Sequence, residues 1–218
     1  MKNIFKNIFG EKKSESDAKA IFFETLAEAK AGNADAMVNL SVMYMDEDIK
    51  EAFKWLRKAA ELGNSDAMLR LGIGYGMGKG VIQDYKEAVK WIRKAAELGN
   101  SDAMHWIASI YSNGEGVIQD YKEAAKWWRK AAELGNAAAM FPLGNMYAQG
   151  TGVIQDDEEA VKWWRKAAEL GNADAMFNLS LMYDNGTGVL EDHKEAVKWL
   201  RKAAELGHAN AISALDDI

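Results

Sequence analysis

One feature constrains this chain before any other. The hexapeptide Lys-Ala-Ala-Glu-Leu-Gly recurs with its final glycine at Gly63, Gly99, Gly135, Gly171 and Gly207, each 36 residues after the one before. A period of that length marks a repeat architecture, in which one unit cannot bury its own apolar face and must stack on its neighbours. Gly32 opens the series 31 residues before Gly63. The shortfall lies in a single loop, because Tyr44 to Asp48 leaves three intervening residues where Tyr75 to Asp84 leaves eight.

Each unit carries two helical patterns. In the second, helix A begins near Asn64 and places Met68, Leu71, Gly72 and Tyr75 at i, i+3, i+4 and i+7, the spacing of one buried helical face. Helix B follows a loop bearing Gly78 and Gly80, with Asp84 and Glu87 as a capping pair and Ala88, Trp91, Ile92, Ala95, Ala96 and Leu98 on its apolar side. Gly99 then ends helix B as a left-handed cap. The capping signals return at Asp48/Glu51, Asp120/Glu123, Asp156/Glu159 and Asp192/Glu195. The prediction is an all-α solenoid of antiparallel helix pairs, with no strand. Its parts are a flexible or capping segment over 1–15, a capping helix over 16–31, five repeats over 32–206 forming one solenoid, and a capping helix over 207–218.

Composition narrows the function classes. Of the 218 residues, 49% are hydrophobic and 28% charged, with a single proline, which suits long helices with an ample core. Lys and Arg number 27 against 33 Asp and Glu, a net charge of −6 spread along the chain. Nucleic-acid binding needs a concentrated positive field, so no nucleic-acid partner is expected. With no cysteine, disulfides, thiolate zinc sites and a cysteine nucleophile are excluded. At the N-terminus Ile4, Phe5, Ile8 and Phe9 are interrupted by Lys6 and Asn7, too broken a run for a signal peptide or a membrane span. The expectation is a cytoplasmic chain without a transmembrane segment, monomeric when free; export by a dedicated secretion machine would leave no such signal.

The motifs A-M-x-x-L-G-x-x-Y, G-x-G-V-x-x-D and A-x-x-W-x-R-K-A-A-E-L-G, repeated over roughly residues 32–218, resemble the Sel-1-like repeat family, a relative of the tetratricopeptide repeat. The resemblance implies a right-handed superhelix used as an adaptor or scaffold in signalling, secretion, host interaction or bacterial competition. Some bacterial members are cysteine-rich and are credited with binding or cleaving β-lactams, a branch that a chain without cysteine does not fit.

Several features invite chemistry and do not sustain it. The run from Leu71 to Gly80 is glycine-rich, but a phosphate-binding Walker loop needs glycine where Ile73 stands and Ser or Thr where Gly80 stands. His105, His193 and His208 lack metal-ligand spacing, and His193 and His208 read as surface residues at helix ends. No catalytic residue, metal site or cofactor is assigned. Trp55, Trp91, Trp127, Trp163 and Trp199 share one repeat position and read as helix-packing residues, with Trp128 and Trp164 in a column shared with Leu56, Ile92 and Leu200. The Lys/Arg pairs at 57/58, 93/94, 129/130, 165/166 and 201/202 read as a solvated face balanced by Glu61, Glu97, Glu133, Glu169 and Glu205.

The informative positions vary while the scaffold repeats. Opposite the buried face of helix A stand Asn39 and Val42; Arg70, Ile73 and Met77; Trp106, Ser109 and Asn113; Pro142, Asn145 and Gln149; and Asn178, Leu181 and Asn185. In solenoids of the kind resembled, helix A lines the concave surface, so these residues are expected to pave a groove. Asn and Gln suit extended backbone, Arg70 a carboxylate, and Trp106, Ile73, Met77 and Leu181 apolar anchorage. The function expected is a non-enzymatic scaffold that binds a protein or peptide. A narrower alternative is an immunity protein that neutralises a bacterial toxin; a groove-based hydrolase would need converging titratable groups.

Overall fold

The computed structural model describes residues 15–216. Of the segment over 1–15 read as flexible or capping, residues 1–14 lie outside the described residues, and Glu15 opens the first helix. Twelve helices and no strand occur among those described. In chain order they are α1 (Glu15–Lys30), α2 (Ala34–Tyr44), α3 (Ile49–Glu61), α4 (Ser65–Met77), α5 (Tyr85–Glu97), α6 (Ser101–Asn113), α7 (Tyr121–Glu133), α8 (Ala137–Gln149), α9 (Asp157–Glu169), α10 (Ala173–Asn185), α11 (His193–Glu205) and α12 (Ala209–Asp216). None is long and apolar enough to cross a membrane.

The chain forms two compact units. The first runs to Met104 and includes Glu115–Val117; the second comprises His105–Gly114 and Ile118–Ile218. In the first, each of α1 to α4 packs on its successor, and in the second each of α7 to α11 does the same. The core is the helix A column that the spacing predicted. Leu40, Leu71, Ile107, Leu143 and Leu179 are fully buried, as is Leu56 from helix B.

Local chemistry explains where the helices begin and end. The side chains of Asn33, Asn64, Asn100, Asn136 and Asn172 accept backbone N–H bonds at the start of helix A, and those of Asp48, Asp84, Asp120, Asp156 and Asp192 do so for helix B. Each cap of this type is worth about 1 kcal/mol. The capping pair is one-way. The backbone N–H of Asp84 donates to the Tyr75 carbonyl at 3.0 Å, and the other four aspartates bind the preceding tyrosine in the same manner. Glu87, with no N–H left to receive it, binds Lys90 instead, and Lys54, Lys126, Lys162 and Lys198 repeat that pairing at 2.5 to 2.9 Å. These lysines form a column of their own, one turn ahead of the Lys/Arg pairs.

The basic pairs are more than a solvated face. Arg57 donates to the hydroxyl of Tyr75 in the next repeat, as do Arg129 to Tyr147 and, at 2.6 Å, Arg165 to Tyr183. The following lysines, Lys58, Lys94, Lys130, Lys166 and Lys202, lie 4.1 to 4.8 Å from the ring centres of the tryptophans three residues earlier. Trp55, Trp91, Trp163 and Trp199 are buried as expected, whereas Trp127 is half-buried.

The second glycine of each loop sits where the chain touches the preceding repeat. Gly152 has φ +73°, and a Cβ there would overlap the Tyr121 carbonyl that starts α7. Gly171 also has positive φ, but open space surrounds it. Gly152→Ala combines left-handed strain with a backbone collision and is expected to cost about 2 kcal/mol or more, while Gly171→Ala carries the strain alone. Parallel urea melts check the order; equal losses would contradict it.

Candidate functional site

In the first unit, Asn39, Val42, Arg70 and Met77 are exposed and Ile73 is half-buried, all on helices α2 and α4. Arg70 makes no ion pair or hydrogen bond among the described residues, so its guanidinium is available to a ligand carboxylate beside the 63% exposed Met77. In the second unit Trp106 is 41% exposed on α6, and Asn113, Gln149, Leu181 and Asn185 are exposed, while Ser109, Asn145 and Asn178 are half-buried.

Not all of these side chains are free for a partner. Ser109 spends its hydroxyl on the His105 carbonyl at 3.1 Å, and the Asn185 amide donates to the Leu181 carbonyl at 2.8 Å. Asn145, Gln149, Asn178 and Leu181 are brought together. With Ala148, Met182 and Trp164 they line a cavity of about 290 Å³ between α8, α9 and α10.

Sequence reasoning placed Trp164 in the core and did not connect it with this surface. Its ring is 5% exposed, and its indole N–H donates to the Asn145 Oδ1 at 3.0 Å. Trp128 likewise donates to His105 Nδ1 at 3.2 Å. A signal for both was present: each repeat with a second tryptophan supplies a polar acceptor on helix A, where the repeats with Leu56, Ile92 and Leu200 need none. Four of the loops also carry one exposed aliphatic side chain each, Ile82, Ile118, Ile154 and Leu190, all at least 90% exposed.

The remaining histidines have structural tasks. His208 is less exposed than expected, its side chain at 14%; it caps α12 by accepting the Ala211 N–H, stacks on Phe177 and lies 3.3 Å from Asp174. His193 is exposed between Asp184 at 2.8 Å and Glu191 at 3.1 Å. The Asp184 hydrogen bond, its charge and that of Glu191 raise the His193 pKa above the ordinary 6.5. Their attraction to the imidazolium is complete below that ordinary value and is lost as pH rises through the raised one. An NMR titration is expected to show a raised midpoint that Asp184→Asn brings down; no change on that substitution would contradict the assignment. Among the described residues no group of three or more His, Cys, Asp or Glu side chains is arranged so that it could hold a metal ion.

A family model described as the Sel1 repeat matches residues 34–64, 65–100, 101–136, 137–172 and 173–208. The chain belongs to the Sel1 repeat family. A Sel1 repeat protein from Oxalobacter formigenes shares 37% identity at a TM-score of 0.77, over 86% of this chain and 79% of that one. The protein c5321, a protective antigen of uropathogenic Escherichia coli, shares 36% identity at a TM-score of 0.84 over 87% of this chain. The match spans 42% of the antigen's own length. The immunity protein PA5088 of Pseudomonas aeruginosa, at 19% identity and a TM-score of 0.55 over 95% of this chain and 80% of that one, shares the fold. No curated protein sequence matches the chain. Sel1 repeats typically mediate protein interactions, and the family is generally a non-enzymatic scaffold.

Proposed function

We propose that this Sel1 repeat chain is a non-enzymatic scaffold that binds another protein through the variable outer face of its A helices. The observation that carries the reading is the contrast between columns. The Leu and Ile positions of helix A are fully buried and nearly constant, while the positions opposite present Arg70, Met77, Trp106 and Leu181 to solvent. Exposed Trp and Arg are the side chains that most often dominate binding energy, and neither is held here by the fold.

An immunity function is a narrower form of the same reading. The likeness to PA5088 concerns the fold, so the proposal stays at protein binding, and the identity of the partner decides the rest. The test is a tagged pull-down from the organism that encodes the chain, repeated with Arg70→Ala and Trp106→Ala. A partner recovered by the native protein and lost with either variant supports the proposal. A partner retained equally by both variants refutes the assignment of the face.

A further inference from the structure

The cavity between α8, α9 and α10 is lined by a polar group whose orientation is set by the core. The Trp164 N–H is a donor only, so its bond to Asn145 engages the amide oxygen and leaves the NH2 as the group that Asn145 offers the cavity. That nitrogen has no hydrogen-bond partner among the described residues, and the side-chain amides of Gln149 and Asn178, which line the same cavity, have none either. Ala148, Leu181, Met182 and the Trp164 ring supply the apolar remainder.

We propose that this cavity receives an extended, uncharged stretch of a partner chain, with a peptide carbonyl on the Asn145 NH2 and one aliphatic side chain against Leu181, Met182 and Trp164. This rests on the protein-binding reading above and names its chemistry in the second unit. Three observations favour that occupant. The lining contains no ionisable side chain, so a charged group entering it would lose hydration without a counter-charge. Its amides offer donors and acceptors side by side, the pairing that a peptide bond presents. At about 290 Å³ it lies at the lower edge of cavities that enclose small molecules, a size suited to one side chain and its backbone.

The test uses a phage-displayed library of random dodecapeptides selected on the immobilised full chain, with affinities of the selected peptides then measured on variants. Asn145→Asp is the informative change. It keeps an acceptor for the Trp164 N–H, so the core contact survives, but it removes the donor and places a negative charge against the peptide carbonyl. Gln149→Ala is a second variant, at an exposed position that takes no part in the Trp164 bond. The expected result is peptides sharing an uncharged aliphatic position, whose affinity falls by about tenfold or more with Asn145→Asp, by a smaller factor with Gln149→Ala, and hardly changes with added salt. Peptides insensitive to both variants but lost with Arg70→Ala or Trp106→Ala overturn the cavity assignment and leave the scaffold reading standing. Peptides that depend on none of these residues, or no selected peptide, overturn both. A shared charged residue at the Asn145-sensitive position overturns the neutral specificity.

Discussion

Replacing Trp163 with alanine is expected to remove about 3–5 kcal/mol of stability, the usual cost of deleting a buried aromatic side chain, and Trp91→Ala should do the same. Both rings are less than a tenth exposed, Trp163 at 5% and Trp91 at 8%. The loss is one of packing, because the indole N–H of each is buried without a hydrogen-bond partner among the described residues. Trp163→Phe, which keeps most of the ring and removes that unsatisfied donor, should therefore be far milder. Trp127, half-buried, should lose less on truncation than either. Urea melts of the four variants check the series, and a native-like midpoint for Trp163→Ala would mean that the ring belongs to a ligand surface. The lysine over each ring adds about 0.5–1 kcal/mol to its environment, so charge reversal at Lys94 or Lys166 is not a neutral surface change.

Binding should respond at different positions. Trp106→Ala and Arg70→Ala are each expected to weaken a true partner by more than about 2 kcal/mol, roughly thirtyfold in affinity, with the melting temperature nearly unchanged. The physical ground is exposure without structural duty. Trp106 is 41% exposed, Arg70 has no partner among the described residues, and Asn39, Pro142 and Asn178 occupy the same repeat column without upsetting the helix. Because the lysine of each Arg-Lys pair lies over a tryptophan ring, the control must lie elsewhere on helix B. Lys86 and Lys122, exposed at the starts of α5 and α7, are suitable for reversal to Glu. If those reversals abolish binding while the Trp106 and Arg70 variants bind normally, the working face is on helix B.

What the sequence by itself determined was local. Helix boundaries follow from groups within a few residues of one another: an Asn or Asp that accepts the N–H two or three residues ahead, a glycine that takes positive φ after Leu98, and a Leu or Ile every 36 residues facing inward. These signals act at fixed separations along the backbone, so the fold class and the buried column of helix A could be read without coordinates. What only the tertiary structure decided were the pairings between helices. The Trp164 bond to Asn145, the Arg57 bond to Tyr75 and the Asn64 amide on Asp35 depend on distances that no local pattern encodes. For that reason Asn145 reads in sequence as one amide among several expected to pave a groove. In the structure its oxygen is tied to the Trp164 indole, a donor only, and that bond leaves the NH2 as the group Asn145 offers the cavity.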